Sequence, residues 1–191
     1  NYAYTSLDGY LTDPYKILSE VDPVTGGTLD YRYEKRPDTR ATHAVYWKLV
    51  YHLPRDVVHF SYRYFQDDWG IKAHTADVRY RYELSGGRYL EPHLRYYSQS
   101  AADFYHHSLV SGQPLPEFAS ADFRLAEMQG NTLGFKFGMP TGKQAEWSIR
   151  VERMLQTGDG HPADAIGIQR NYDLYPELEA TTLLISYSTR F

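Results

Sequence analysis

Apolar and polar side chains alternate one by one along seven segments of this chain, all of them after residue 42. Successive side chains of a β-strand point to opposite faces of its sheet, so strict alternation predicts a strand with one apolar and one polar face. In residues 57–65, for example, Val58 and Phe60 share one face, whereas His59 and Ser61 share the other. The predicted strands lie at 43–53, 57–65, 76–84, 90–98, 132–139, 146–155 and 181–191.

The connections between these strands are short and long in turn. The short ones, 53–56, 85–88 and 140–144, contain Gly or Pro, which suit tight turns. The longer ones are 66–72, 98–122 and 157–179. In an up-and-down antiparallel sheet all short turns then fall at one end and all long loops at the other. This asymmetry is typical of outer-membrane barrels.

Tyrosine is unusually frequent, with 19 of 191 residues. Its apolar ring and polar tip suit the aromatic girdles of a membrane barrel. No apolar run reaches the roughly 18 residues of a membrane helix, but a barrel strand needs only about 9–11. The net charge of −4 gives no basic surface for nucleic acid, and the absence of cysteine excludes disulfides and thiol catalysis.

The first forty residues have a different pattern from residues 42–191, which supply the predicted wall strands and their loops. Residues 8–41 are rich in turn-forming residues, and we interpret them as an external loop that carries a hairpin arm. The alternative is that residues 28–36 form a further wall strand. Residues 1–7 are expected to be the upper end of an eighth strand, because a bacterial barrel needs an even number.

Arg153 interrupts the apolar face of the segment 146–155. A charged side chain there requires either a position at the edge of the membrane or a β-bulge that changes the register. The sequence leaves both explanations open.

The chain ends in TTLLISYSTRF, in which apolar residues alternate before a terminal aromatic residue. This stretch resembles the C-terminal signature of bacterial outer-membrane barrels, which the barrel-assembly machinery recognises. The resemblance implies that the assembly signal consists of Leu183, Ile185, Tyr187 and Phe191.

Five further stretches resemble the conserved blocks of one outer-membrane family of Gram-negative bacteria. They are LDGYLTDPYK, YRYEKRPDTRATHAVY, SYRYFQDDWGI, HLRYYSQSAADFY and ASADFRL. The family is catalogued as domain of unknown function thirty-five-seventy. The resemblance implies a β-barrel in the bacterial outer membrane, with this chain as the C-terminal half of a longer barrel. It implies no activity, because the family has none established.

The polar face of the predicted wall combines acidic, basic and imidazole side chains. We predict that the lumen is lined by His59, Arg63, Asp77, Arg79, Arg81, Glu83, Glu91, His93 and Arg95. Mixed charges on neighbouring strands form pairs across the ladder, which would plug and stiffen the lumen. The alternative is a selectivity lining for a polar solute.

Acidic and histidine side chains recur in the long loops, which share one end of the predicted barrel. The candidate ligands for a divalent cation are Asp67, Asp68, His106, His107, Asp159 and His161. Imidazoles would favour zinc or copper and carboxylates calcium, although no spacing here matches a known ligand motif. No nucleophile elbow accompanies His106, His107 and Ser108, so the chain is not expected to be an enzyme.

The sequence therefore predicts an all-β, antiparallel, up-and-down transmembrane β-barrel of seven or eight strands, part of a larger barrel. Its expected partners are the lipid bilayer, the barrel-assembly machinery and a periplasmic or surface protein, with no nucleic acid and no cofactor beyond a divalent cation. The predicted function is surface binding or assembly by a barrel with a charged, largely plugged lumen. The alternatives are a porin-like pore for small polar solutes and a soluble lipocalin-like barrel with its apolar face inside.

Overall fold

A computed structural model describes residues 1–142 and 144–189 of the chain. Within those residues it contains eleven β-strands and three short 3-10 turns, Ser85–Gly87, Phe123–Leu125 and Gly167–Asn171, and none of its helices is long and apolar enough to cross a membrane. The strands are β1 (Tyr2–Asp8), β2 (Ile17–Val21), β3 (Thr28–Tyr33), β4 (Thr39–His52), β5 (Val57–Asp67), β6 (Lys72–Glu83), β7 (Tyr89–Gln99), β8 (Leu109–Val110), β9 (Met128–Thr141), β10 (Ala145–Gly158) and β11 (Leu178–Thr189).

Eight strands form one antiparallel sheet in the order β1-β4-β5-β6-β7-β9-β10-β11. All seven strands predicted after residue 42 belong to it. The predicted eighth strand is β1, which pairs with β4 from Tyr2 opposite Val45 to Asp8 opposite Thr39. The sheet is open, because β1 and β11 are its two edges and do not pair with each other in the described part of the chain. These residues therefore do not close into a barrel by themselves, and the sequence predicted their strands as part of a larger one. Alternation specifies two faces, but not the number of strands that closes a wall.

Several strands extend further toward the long connections than alternation predicted. β4 begins at Thr39 rather than 43, β6 at Lys72 rather than 76, and β9 at Met128 rather than 132. In these extensions the outward positions are polar as well, as at His74 and Asn131. The backbone hydrogen bonds between strands therefore extend beyond the segments in which apolar and polar side chains alternate.

The connections after β4, β6 and β9 lie at one end of the sheet, and those after β1, β5, β7 and β10 lie at the other. The connection after β5, residues 68–71, has only four residues and is no longer than the turn 53–56, so the predicted alternation of short and long connections does not hold there. In the β4–β5 turn, the Leu53 amide donates to the Asp56 carbonyl over 2.9 Å. The β6–β7 turn contains Gly86 at φ 73°, a left-handed conformation that favours glycine.

The long connections pack together at their end of the sheet. We call this part the cap and define it as residues 9–38, 68–71, 100–127 and 159–177. Its main hydrophobic cluster consists of Trp69, Ile71, Ala102, Phe104 and Leu125. A second cluster contains Leu18, Leu109 and Ala119. Most of the buried apolar side chains of the described chain are in the cap, not against the large sheet.

The cap contains its own three-stranded sheet, in the order β3-β2-β8. β2 and β3 pair as an antiparallel hairpin, and β8 pairs with β2 in parallel. β3 does not join the large sheet, so residues 28–36 are not a wall strand. The hairpin turn contacts the last long connection, where the Ile168 amide donates to the Thr25 carbonyl over 2.8 Å.

A buried ionic cluster holds the cap segments together. Asp122 is 1% exposed and accepts hydrogen bonds from Arg36 at 2.8 Å and Arg124 at 2.5 Å. Glu34 accepts from Arg36 at 3.0 Å and from the Ser120 hydroxyl. Burial alone would raise the pKa of the Asp122 carboxyl, but hydrogen bonds from Arg124 and Arg36 outweigh it and lower the pKa to about 2.

Candidate functional site

The large sheet has one charged face and one apolar face. The pairing places His59 opposite Arg79 and Arg79 opposite His93 on three adjacent strands, and Asp77 opposite Arg95. Alternation then puts all nine predicted lumen residues on the charged face: His59, Arg63, Asp77, Arg79, Arg81, Glu83, Glu91, His93 and Arg95.

A row of hydrogen-bonded ionisable side chains crosses this face from β6 to β10. His93 is only 6% exposed, and its Nε2 lies 2.7 Å from Asp77 while its Nδ1 lies 2.8 Å from Glu152. Arg150 contacts the same Glu152 oxygen at 3.2 Å and Glu91 at 3.4 Å. Carboxylates thus alternate with an imidazole and a guanidinium across the face, and each carboxylate has a hydrogen-bond partner.

β9 carries three glycines on the charged face, and one of them makes this arrangement possible. Gly130, Gly134 and Gly138 face the charged side at intervals of four residues. Gly134 stands between His93 and Glu152 in the pairing, and because it has no side chain the two can meet across it. Glycine within a strand commonly marks such a close approach.

Gly138 has the same role for Tyr89. A Cβ at position 138 would lie 2.2 Å from the Tyr89 ring, which is fully buried over the glycine. The Tyr89 hydroxyl donates to Glu146 at 2.6 Å, and the Arg81 guanidinium lies 3.6 Å from the ring centroid. Arg81 also pairs with Glu83 at 2.5 Å. Tyr89 was not among the predicted site residues. The regular spacing of glycines on one face of β9 was the sequence signal that a large side chain packs there.

The charged face lines a main cavity of about 570 Å³. Its cationic lining residues are Lys48, Arg63, Arg79, Arg95, Lys136 and Arg150, and its carboxylates are Asp77 and Glu91. The predicted lumen residues did not include Lys48, Lys136 and Arg150. All three occupy polar positions of the alternating segments, so the same pattern would have identified them. A second cavity of about 360 Å³ lies under the cap and shares Arg63 with the first.

The opposite face is apolar, and its central side chains are uncovered by the described residues. Leu94 is 56% exposed, Phe135 55% and Leu183 64%. The lipocalin-like alternative required Val58, Val78, Leu94 and Phe135 to lie inside a closed interior. Instead they share the face opposite the charged residues of an open sheet.

Aromatic and polar side chains bound this apolar surface at both ends. On β4 the boundary residues are His43 and Tyr51, and on β6 they are His74 and Tyr82. Each pair is eight residues apart, which is about 27 Å along a strand. At the cap end, the Tyr2 hydroxyl lies 2.7 Å from Nδ1 of His43, and the Tyr62 hydroxyl lies 2.6 Å from Nδ1 of His74.

Arg153 lies at the cap-side boundary on β10. The register of β10 is continuous with both neighbours, so no bulge displaces it. It forms an ion pair with Glu179 on β11. Glu179 lies eight residues before Tyr187, the aromatic residue at the other boundary of the same strand. Of the two explanations, the position at the edge of the apolar surface is the one that the geometry fits.

The comparisons with known proteins place the chain in a family. The model of a family described as "Protein of unknown function (DUF3570)" matches residues 1–189. The chain belongs to the DUF3570 family. This confirms the family resemblance of the five sequence blocks. A search of the curated proteins and a search of the solved structures each found no significant match.

The six candidate metal ligands of this DUF3570 chain do not meet at one point. Asp67 accepts hydrogen bonds from Arg40 at 2.5 Å and from the Ile71 amide at 2.9 Å, and Asp68 accepts one from the Ala41 amide at 3.0 Å. These carboxylates stabilise the β5–β6 turn. Local hydrogen bonds of this kind cannot be predicted from loop composition.

The other candidates lie in or near the last long connection. His106, His107 and Asp159 line one small cavity of about 200 Å³, whereas His161 lies 3.4 Å from Asp173. Among the described residues, no three His, Asp or Glu side chains form a group that could hold a metal ion. Burial and the neighbouring His107 lower the pKa of His106.

The expected assembly signal lies on the last strand of the DUF3570 sheet. Leu183, Ile185 and Tyr187 point to the apolar face, where they pair with Val151, Ile149 and Trp147 of β10. Phe191 lies outside the described residues.

Proposed function

We propose that this chain forms part of the wall of a β-barrel in the bacterial outer membrane. The charged face lines the lumen, the apolar face contacts lipid, and the cap lies over the outer end. The observation that carries the proposal is the uncovered apolar face beside a cap that has its own core. Leaving a large apolar side chain in water forgoes about 1.5–3 kcal/mol. The free energy that more than ten such residues would forgo in water is at least as large as the typical free energy of unfolding of a domain, about 5–15 kcal/mol.

The same geometry supports surface binding or assembly as the activity. The ion pairs from Asp77 to Glu91 occupy the charged face, and the cap segments pack over its end. A plugged lumen leaves the cap as the part available to a protein partner. The C-terminal strand would enter the membrane through the barrel-assembly machinery.

A pore for small polar solutes is the second candidate. The observation that favours it is that two cavities, one on the charged face and one under the cap, share Arg63 as a lining residue. Stable openings in planar bilayers would favour the pore, and the absence of conductance by inserted protein would favour the plugged barrel.

Location and orientation can be tested with single cysteines, since these 191 residues contain none. Gln113→Cys places a thiol on the exposed cap, and Ser85→Cys places one in a short turn at the other end. In intact Gram-negative cells that export the full protein, a membrane-impermeant maleimide should label Gln113→Cys. Ser85→Cys should react only after the outer membrane is permeabilised.

The same two cysteine variants can also contradict the proposed orientation. Equal labelling of both variants in intact cells, or recovery of both in the soluble periplasmic fraction, would contradict the proposed membrane orientation. Labelling of both variants in lysed cells confirms that each thiol is reactive.

A further inference from the structure

The main cavity carries an excess of positive charge. Its lining contains six cationic side chains and two carboxylates, an excess of four positive charges if His59 is neutral. The whole chain has a net charge of −4. The positive charge is therefore concentrated at this one place, and low-dielectric walls strengthen the field inside a cavity.

Both carboxylates already have partners. Asp77 lies 2.7 Å from His93, and Glu91 lies 3.4 Å from Arg150. By contrast, Lys48, Arg63 and Arg95 make no salt bridge with any described residue. Three cations thus line the cavity without a salt-bridge partner among the described residues.

Arg79 adds an unsatisfied donor. Its Nε is buried and makes no hydrogen bond within the described residues. The Oδ1 atom of Asp77 is 3.4 Å away, without hydrogen-bond geometry. This Nε is enclosed by protein and faces the Asp77 carboxylate, so it is the rest of the guanidinium, on a side chain that is 40% exposed beside the cavity, that fits the oxygens of a carboxylate or phosphate group.

The second cavity extends the cationic lining toward the cap. It shares Arg63 with the main cavity and adds Arg36, Arg40 and Arg124. Arg36 and Arg124 are ion-paired with Asp122 in the cap, and Arg40 is ion-paired with Asp67 between β4 and β5. Rings of arginine and lysine are how protein pores select anions.

We propose that the main cavity binds a small multivalent oxyanion, a free solute with carboxylate or phosphate groups. Its volume is within the range of about 300–1,000 Å³ that small-molecule sites occupy. The oxyanion contacts Arg63, Arg79 and Arg95, with Lys48 at the rim. This inference deepens the proposed function, because the charged face is the lumen only if the barrel is correct. Binding itself can be measured in detergent solution without a membrane.

The test is calorimetric titration of the full protein in detergent micelles with pyrophosphate, then with citrate, at pH 7.5. The expected result is saturable binding of one or both anions that weakens as salt is added. Replacing Arg63 and Arg95 together with Gln should weaken it by at least about tenfold, because hydrogen bonds to charged groups are lost. Lys48→Gln, at an exposed position, should weaken it less, and it provides a variant if the double substitution prevents folding.

The matched control is Arg153→Gln, which removes one positive charge from the opposite face. It should bind the anions as the natural protein does. Absence of saturable heat with both anions, or an equal loss in Arg153→Gln, would overturn the proposal. Neither result would affect the cysteine labelling, so failure of the anion site and failure of the membrane orientation are distinguishable.

Discussion

At the scale of single residues, the glycines of β9 determine what the charged face can hold. Alternation in the sequence assigns each side chain to a face, and in this way all nine predicted lumen residues could be assigned to one face of the sheet. It does not give their partners. His93 reaches Glu152, 59 positions away, only because Gly134 leaves a gap between their strands. That contact depends on strand order, which a single strand's pattern does not contain.

Gly138→Ala should destabilise the protein by about 1–3 kcal/mol, the usual cost of an overpacked site. The new methyl group would lie 2.2 Å from the Tyr89 ring and would displace its hydroxyl from Glu146. The control is Gly130→Ala, on the same strand and face, whose methyl group would lie 3.6 Å from Tyr97 in ordinary contact. Denaturant unfolding in detergent measures both variants. Equal changes would show that Tyr89 does not pack as described.

At the scale of strands and loops, the wall strands and the hairpin within residues 8–41 were predictable, and the rest of the cap was not. Wall strands have a two-residue period and tight turns, so their number and order followed from the sequence. The cap depends on contacts between distant segments, such as Ser120 with Glu34, 86 positions apart. β8 has only two residues and pairs in parallel, which leaves no periodic signal. The sequence also suggested that Asp67 and the loop histidines bind one cation together. The structure does not bring them together, and loop composition could not show this because such contacts depend on how distant segments pack.

The cap should loosen in acid at a pH that Asp122 sets. The folded-state pKa of Asp122 is about 2, below its ordinary value of 3.8. Its contribution to stability is therefore complete above pH 3.8 and is lost as the pH falls through 2. Fluorescence of Trp69, a cap-core residue, reports the change once Trp47 and Trp147 are replaced with Phe.

Asp122→Asn supplies the control. Breaking a buried ion pair by removing one partner costs about 3–5 kcal/mol, so the cap of this variant should already be loosened at pH 6. Its fluorescence should also lose the step between pH 3.8 and 2. An acid step that persists unchanged in Asp122→Asn would assign it to another carboxyl group.

At the scale of the whole molecule, the chain has its hydrophobic core in the cap and an apolar surface on the outside of its sheet. The sequence indicated this distribution through alternation and the frequency of tyrosine. Alternation alone did not indicate whether the sheet is open, because each strand's pattern is the same in an open and a closed wall; only the family resemblance implied that this chain is part of a larger barrel. Boundary residues such as His43 and Tyr51 fit a sheet that meets two interfaces with an apolar medium between them.

The central claim, that the apolar face contacts lipid, is tested most directly by quenching of a fluorophore on single cysteines in proteoliposomes. Leu94→Cys and Phe135→Cys lie on the apolar face, and Ser61→Cys and Thr75→Cys on the charged face. Doxyl-labelled lipid should quench the first pair strongly and the second weakly, and aqueous acrylamide should do the reverse. Quenching of Leu94→Cys and Phe135→Cys by acrylamide as strong as that of Ser61→Cys, with no effect of doxyl lipid, would contradict the account.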